Sequence, residues 1–330
     1  MPVDLLCPSR RDLFGIAAAG LAASAGEAWS QTGQTWPSRP VTMLVPYGPG
    51  ASNDIFTRAL STILSKKLGQ PFVVENRAGA GGFTGSNAVA QSAPDGYTFL
   101  EMPNSIASFS LIMKVKLDPL ADLTPIALLA RSPTAMVINA ALPARTVKEF
   151  IDHARTRPDQ MFYGHAGIGT TQHQHAEMFK RLTGLKMKNV NYKSSADAQT
   201  DLVAGRLQVM FVTVASTLGQ IQGGQLRLLA YTDKNYAAGS PPAPTLAEVG
   251  IPGMEKAQSW WGIFAPPRLP AEIRDKMNAA INAAIQEPEF VDLLARSSAT
   301  PAPVTPAAFA EAIKQEIALV EDFISNGGIQ

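Results

Sequence analysis

The chain has 330 residues, of which 46% are hydrophobic, and its 28 Lys and Arg residues balance 27 Asp and Glu residues for a formal net charge of +1. This length is enough for two domains of ordinary size, and the hydrophobic content is typical of a globular protein. The balanced charge argues against nucleic acid and against an anionic membrane surface as partners.

The first residues, 1–30, are typical of a twin-arginine export signal. Arg10 and Arg11 precede the apolar stretch 15–23, which is too short to span a bilayer, and small residues follow it. The alternative is an amphipathic helix of the mature protein, but the stretch has glycines and no polar face. We therefore predict a periplasmic protein. The lone cysteine, Cys7, lies inside the signal, so the mature chain cannot form a disulfide.

Strands alternate with helices after the signal. The apolar run 41–45 ends in a glycine loop, and apolar residues then fall at helical spacing up to Gly69. The same scheme repeats from 72–75 to about residue 91, and a strand at 97–101 follows. Strands that alternate with helices indicate parallel α/β layers.

A second α/β unit is predicted to begin at Met136. Its predicted strands are 136–139, 162–163, 207–212 and 226–232, and its helices follow the capping box of Thr146 with Glu149 and the loop 164–171. The chain then gives a strand at 261–265 and helices opened by Pro270 and Pro306, because proline suits a first helical turn.

Two loops, 46–54 and 164–171, share one design. Each follows a strand, is rich in small residues and ends where a helix begins, so unpaired amides and the helix dipole favour an anion there. Neither loop contains Lys or Arg, and the expected guest is a carboxylate held by neutral donors and water. The alternative is that both are ordinary strand-to-helix turns. Asp54 would repel an anion, and we expect it to cap the helix instead.

Other chemistries find little support in the sequence. The glycines at 79–82 miss the dinucleotide fingerprint because Thr84 stands where a glycine is needed, and no phosphate-binding loop occurs, so no cofactor is expected. His173 and His175 are two residues apart on a predicted helix and point to different sides, which argues against a metal site; we expect His173 to pack the loop and His175 to be solvated. A mature chain with neither a cysteine nor a Gly-x-Ser-x-Gly elbow indicates no catalytic residue.

The aromatic residues divide into expected core and candidate ligand contacts. Trp260 and Trp261 are expected in the core, as large rings usually are. Tyr47 lies inside the first glycine loop and is the better candidate for a ligand contact.

Runs of residues across nearly the whole mature chain resemble the tripartite tricarboxylate transporter substrate-binding family, also called Bug receptors. The matching runs, in the family's order, are WPSRP at 36–40, VPYGPG at 45–50, VENRAGAGG at 74–82, APDGYT at 93–98, GTTQH at 169–173, NYK at 191–193, GRLQVMF at 205–211 and SWWGIFAP at 259–266.

This resemblance implies a periplasmic-binding-protein type II fold, in which two α/β lobes close on a small organic acid. Lobe 1 is expected to comprise 36–135 and 256–330, and lobe 2 to comprise 136–255. One loop from each lobe is implied to grip a ligand carboxylate, partly through water. The implied ligand-binding residues are Tyr47, Gly50, Ala51, Ser52, Asn53, Asp54, Phe83, Ser105, Gly167, Gly169, Thr170, Thr171, His173 and Thr213.

Two departures from the family pattern bear on the ligand. Ala51 replaces a common loop glycine, and Val212 with Thr213 stand where the family often has an acid. An ammonium group would want that acid, so an amino-acid ligand is disfavoured. An apolar or aromatic carboxylate is expected, with Tyr47 and Phe83 as walls.

The expected function is that of a monomeric periplasmic receptor, without enzymatic activity, that delivers a carboxylate to the membrane subunits of a tripartite transporter. Its lobes would close on the ligand and present the closed form to the membrane partner. Two alternatives remain open: a ligand sensor that docks onto a sensor kinase, and an exported hydrolase.

Overall fold

A computed structural model describes residues 36–50, 52–112, 114–236, 240–256 and 259–325. The export signal predicted at 1–30 lies outside the described residues. A compact unit of the chain begins at Arg39. None of the helices in the described ranges is both long and apolar enough to cross a membrane.

The first sheet has six strands in the order β11-β4-β10-β3-β1-β2. These strands are β1 Val41–Val45, β2 Phe72–Asn76, β3 Thr98–Pro103, β4 Thr124–Ser132, β10 Ser259–Ala265 and β11 Thr300–Pro301. The pairs β1–β2 and β1–β3 are parallel, as predicted, but β10 runs antiparallel to both β3 and β4. The sheet is therefore mixed, because β10 returns from the second unit rather than through a helical crossover.

The second sheet has five strands in the order β7-β6-β8-β5-β9. These strands are β5 Ala135–Asn139, β6 Phe162–His165, β7 Lys188–Asn191, β8 Val209–Val212 and β9 Leu226–Tyr231. β6 is parallel to β7 and β8, whereas β5 is antiparallel to β8 and β9. The second sheet is therefore also mixed, because it contains both parallel and antiparallel strand pairs.

Nine helices within the described ranges cover these sheets. They are α1 Ser52–Leu68, α2 Phe83–Ala90, α3 Val147–Arg155, α4 Thr171–Thr183, α5 Ser195–Val203, α6 Leu218–Gln222, α7 Ala271–Ala284, α8 Pro288–Arg296 and α9 Pro306–Ser325. Half of the predicted capping box is present. Thr146 Oγ1 accepts from the Glu149 amide at 3.1 Å, whereas the Glu149 carboxylate accepts from the amide of Arg145, one residue before the cap, at 2.7 Å.

The core of the first lobe is aromatic where β10 meets α9. Trp260 packs edge-on against Phe309 with ring centroids 5.4 Å apart, and Trp261 packs in the same way against Phe56 of α1 at 5.3 Å. Both tryptophans are buried, as expected from the sequence. They fix β10 between two helices.

The last helix contacts both lobes. Phe309 and Ile313 belong to the core beside the first sheet, and Leu319 packs against the core beside the second. Near its end, Asp322 Oδ2 lies 2.7 Å from Arg181 Nη1 on α4. α9 therefore connects the two lobes, in addition to the segments where the chain passes from one lobe to the other.

Candidate ligand-binding cleft

A cavity of about 650 Å³ lies between the two lobes. Residues of the first lobe that line it are Tyr47, Gly50, Ser52, Asn53, Pro103, Asn104, Ser105, Ser259, Trp260 and Trp261. Residues of the second lobe, with the crossing residue Thr134, are Ala166, Thr170, Thr171, Gln172, Ser195, Ala196, Gln199, Phe211, Val212, Thr213 and Ser216. Among the described residues that line the cavity there is no Lys, Arg, His, Asp or Glu.

The structure brings most of the predicted ligand residues to this cavity. Those that line it are Tyr47, Gly50, Ser52, Asn53, Ser105, Thr170, Thr171 and Thr213. Asp54, Phe83, Gly167, Gly169 and His173 are not among the lining residues, and Ala51 lies outside the described residues. Phe83 instead contacts Phe109 edge-on at 6.2 Å and packs on the first-lobe core.

Asp54 closes the first glycine loop from behind. Its Oδ2 accepts from the Gly50 amide at 3.0 Å and from Arg58 Nε at 3.0 Å, and its Oδ1 accepts from Asn76 Nδ2 at 2.9 Å. The Arg58 hydrogen bond, with these other donors, lowers the pKa of Asp54 to about 2. Asp54 thus turns away from the cavity and stabilises the loop. This contact differs from the helix cap expected from the sequence, because the Gly50 amide precedes α1.

The second glycine loop is held by histidines that accept hydrogen bonds. The Gly167 amide donates to His165 Nδ1 at 3.2 Å, and the Gly169 amide donates to His173 Nδ1 at 3.4 Å. Both glycines have positive φ values, 134° and 81°, which favour glycine. These two amides are already paired inside the loop, and the residues at its end that line the cavity are Thr170, Thr171 and Gln172.

The start of α4 lies at the cavity wall. Thr170 is the N-cap residue, yet its side chain makes no capping bond and instead donates to the Gly167 carbonyl at 2.7 Å. The first amides of a helix have no partner within the helix. Thr171 and Gln172, the first two residues of α4, line the cavity wall, where the helix dipole favours an anion.

The buried histidines are neutral. Burial lowers the pKa of His173 to about 4 and that of His175 to about 3. His173 packs the loop as predicted. The prediction of a solvated His175 is wrong, because His175 is buried on α4, which packs against both the second sheet and α9. No group of three metal-ligating side chains occurs among the described residues.

Several polar cleft residues were not predicted from the sequence. Asn104 joins the lobes, because its Oδ1 accepts from Thr171 Oγ1 at 3.0 Å and its Nδ2 donates to Glu316 Oε1 at 3.0 Å. Gln172, Ser195 and Gln199 form a hydrogen-bonded group on the second lobe. The cap of α5, in which Ser194 Oγ accepts from the Asp197 amide at 3.2 Å, is the local signal that would have marked this helix start.

The structure has two mixed α/β lobes around a polar cleft, and helices from both lobes begin at this cleft. These features define a solute-binding protein of the periplasmic-binding-protein type II class. A family model described as "Tripartite tricarboxylate transporter family receptor" matches residues 56–328. The chain belongs to this family, as the sequence resemblance predicted, and its members are receptors rather than enzymes.

Individual relatives agree with this assignment. The chain is 34% identical to protein BugT of Bordetella pertussis over 287 residues, which cover 86% of this chain and 88% of that protein. The solved structure of the periplasmic binding protein BugD superposes with a TM-score of 0.76 at 29% identity, covering 88% of this chain and 99% of that one. An R. palustris protein solved with adipate gives a TM-score of 0.77 at 32% identity, covering 89% and 99%. The protein is accordingly a periplasmic binding protein.

Proposed function

We propose that this protein captures a small organic carboxylate in the cleft, closes its lobes around it and delivers it to the membrane subunits of a tripartite transporter. The proposed lobes are 36–135 with 256–330, and 136–255. The observation that carries the proposal is the lining of the cleft, which offers helix starts from both lobes and no charged side chain among its described residues. Such a site binds an anion through neutral donors.

Solved relatives support the carboxylate. The R. palustris relative contains adipate, and a second relative, MatC from Rhodopseudomonas palustris, was solved with bound malate at 28% identity and a TM-score of 0.76. Both ligands carry two carboxylates.

The second lobe supplies a hydroxyl donor for the far end of the ligand. Gln172 has a fixed orientation, because its Oε1 accepts from the Ala166 amide at 3.1 Å, so its Nε2 donates to Ser195 Oγ at 2.7 Å. Gln199 Nε2 donates to the same Oγ at 3.2 Å. A hydroxyl oxygen has two lone pairs, and both now face donors. The O–H of Ser195 is therefore left to donate into the cleft.

The rest of this wall is also polar. Ser216 donates to the Thr213 carbonyl at 2.8 Å and accepts from Gln199 Nε2 at 3.2 Å, which keeps the amide group of Gln199 in the orientation described. With Phe83 outside the lining, we propose a ligand that has a second accepting group, a carboxylate or carbonyl, rather than the purely apolar or aromatic acid expected from the sequence.

Thermal unfolding against a panel of acids tests the proposed function. A ligand at 100 times its Kd adds about 2.7 kcal/mol to the stability of the native state. We expect carboxylates to raise the Tm, and dicarboxylates to raise it more than monocarboxylates of equal length. A panel in which only sugars or cations raise the Tm would refute the carboxylate assignment. Replacing Ser52 or Thr170 by a bulky residue should abolish the shift while leaving the fold intact.

Ser195→Ala tests the second end of the ligand. The variant should bind monocarboxylates as the wild type does but lose most of its preference for dicarboxylates, a loss of about tenfold for one hydrogen bond to a charged group. Thr200→Ala is the matched control, because Thr200 is exposed on the same helix and does not line the cleft. An unchanged preference in Ser195→Ala would place the second end elsewhere.

The membrane partner and the export route belong to the same proposal. A sensor kinase is the alternative partner. Uptake of the identified acid by a deletion strain distinguishes the two partners, since only a transport receptor is needed for uptake.

We propose a monomer that is exported by the twin-arginine route. Replacing Arg10 and Arg11 by lysine should then retain the precursor in the cytoplasm.

A further inference from the structure

A buried carboxyl lies directly behind the cleft. Glu101 is on β3, between β1 and β10, and its side chain is 0% exposed. Its polar contact with the cleft is Asn53, whose Nδ2 donates to Oε1 and to Oε2, both at 2.9 Å. Asn53 is the second residue of α1 and lines the cavity. One neutral amide thus separates a buried acid from the proposed site of an anion.

Within the described elements packed against β3, no basic side chain contacts this acid. Of the elements packed against β3, namely β1, β10, α1, α2 and the short 3-10 helix at Asn104–Ser108, only α1 carries charged side chains. On α1, Asp54 and Arg58 form an ion pair at 2.9 Å, and the lysines at 66 and 67 lie in its last turn.

The remaining titratable neighbour of Glu101 is neutral. Tyr47 follows β1, and burial raises the pKa of its hydroxyl, so it stays protonated near neutral pH. Burial likewise raises the pKa of Glu101 to about 8. The hydrogen bond from Asn53 lowers this pKa, but by less than burial raises it. Glu101 is therefore protonated near neutral pH, which fits a buried carboxyl without a positive partner.

Ionisation of Glu101 would oppose an anion in the cleft. Two negative charges separated by one side chain in a poorly solvated lobe repel each other strongly. The lining offers no Lys or Arg among its described residues that would offset the repulsion. Protonation of Glu101 and binding of an anion must therefore favour each other, because the coupling between two sites is reciprocal.

We propose that Glu101 is a proton-carrying positioning residue of the receptor: the cleft holds an anionic ligand tightly only while Glu101 is protonated, so capture retains one proton and alkaline pH favours release. This inference rests on the proposed function. Glu101 does not line the cavity, yet its protonation state would control the affinity of the cavity for an anionic ligand.

Glu101→Gln tests the coupling, because glutamine has the shape of a protonated carboxyl and does not titrate. We would measure the Kd of adipate, succinate and benzoate by calorimetry from pH 6.5 to pH 9.5, where these acids are fully ionised. The ratio of the wild-type Kd to the variant Kd should be constant below about pH 7 and rise by about tenfold by pH 9.5. Titrations that both proteins share cancel in this ratio.

Proton uptake gives a second readout that a merely structural role would not change. Calorimetry in buffers of different ionisation enthalpy at pH 8.5 should show that the wild type takes up protons on binding and that Glu101→Gln takes up fewer. Glu75→Gln is the control, because Glu75 is an exposed acid on β2 of the same sheet and does not line the cleft. This control should retain the Glu101-dependent uptake.

Each outcome decides between the two proposals. If none of the acids binds at pH 6.5, the proposed function fails and the coupling fails with it. If the acids bind and their Kd has the same pH dependence in the wild type and in Glu101→Gln, only the coupling is overturned. If Glu101→Gln does not fold, zero proton uptake by the wild type between pH 7 and pH 9.5 overturns it.

Discussion

Two asparagines of the cleft are each held from behind by a buried carboxyl. Glu101 accepts from Asn53 and Glu316 accepts from Asn104. Burial raises the pKa of both acids, that of Glu316 to about 7. In their protonated forms these acids orient the amides without placing a charge near an anionic ligand. This arrangement explains how acidic side chains are compatible with a cleft that lacks basic ones among its described lining residues.

Glu101→Gln should also change the stability of the protein without ligand. The pKa of Glu101 is about 8 in the folded state and about 4.3 in the unfolded state. The stability that the protonated carboxyl contributes is therefore complete at low pH and is lost as the pH rises to about 8. Since glutamine does not titrate, the variant should gain on the wild type by up to about 1.4 kcal/mol per pH unit between pH 5 and pH 8.

Urea unfolding of both apo proteins at pH 5, 6.5, 8 and 9 measures this difference. The stability gap should widen up to pH 8 and then stay constant. A gap that does not depend on pH would mean that Glu101 titrates as an exposed carboxyl does.

At the scale of elements, local sequence signals were sufficient to predict the two glycine loops. They were not sufficient to predict the polar group of Gln172 and Ser195 in the cleft. The two glycine loops and the helices after them are predicted because strand, glycine and helix signals follow one another in the chain. Gln172 and Ser195 are 23 residues apart in the chain and meet only because α4 and α5 both pack on β6. No pattern within either segment shows that contact, so the donor at Ser195 could be found only in the structure.

Strand β4 of the first sheet shows the same limit of sequence-based prediction. β4 is not predicted from the sequence, because a short apolar run is compatible with a buried helix or a buried strand. Its antiparallel pairing with β10 joins Ser132 to Ser259, and a pairing over such a separation leaves no local signal. The division into strand-helix units was predictable, whereas the mixed character of the sheets was not.

Gly262 on β10 sets the distance between the first sheet and α9. A Cβ added there would overlap the ring of Phe309, which is fully buried. Gly262→Ala should therefore destabilise the protein by about 2 kcal/mol, because an overpacked core must shift backbone or side chains.

The control for this change is Gly219→Ala on α6. A Cβ at Gly219 would meet no atom within 4 Å, so this variant should be as stable as the wild type or slightly more stable. Thermal unfolding of both variants gives the comparison. Equal Tm values for Gly262→Ala and wild type would show that α9 moves away from β10 at little cost.

At the scale of the whole molecule, the lobes are joined by more than the chain crossings. β4 ends at Ser132 and β5 begins at Ala135, so this crossing is short. α9 packs on both cores and is tied to α4 by the pair of Arg181 with Asp322. Asn104 and Thr171 form a direct hydrogen bond between the lobes inside the cleft. A ligand that binds both loops adds to these contacts and favours the closed state.

Hydrogen exchange tests whether one ligand binds both lobes. With an acid at 100 times its Kd, amides in the first turns of α1 and α4 should exchange up to about 100-fold more slowly, since they open only when the ligand has left. Amides of α7, which has no residue in the described lining of the cleft, should change only as far as global stability does. A sugar that does not bind is the control. Slower exchange at α1 alone, or at α4 alone, would mean that the ligand stays on one lobe and that the cleft does not close around it.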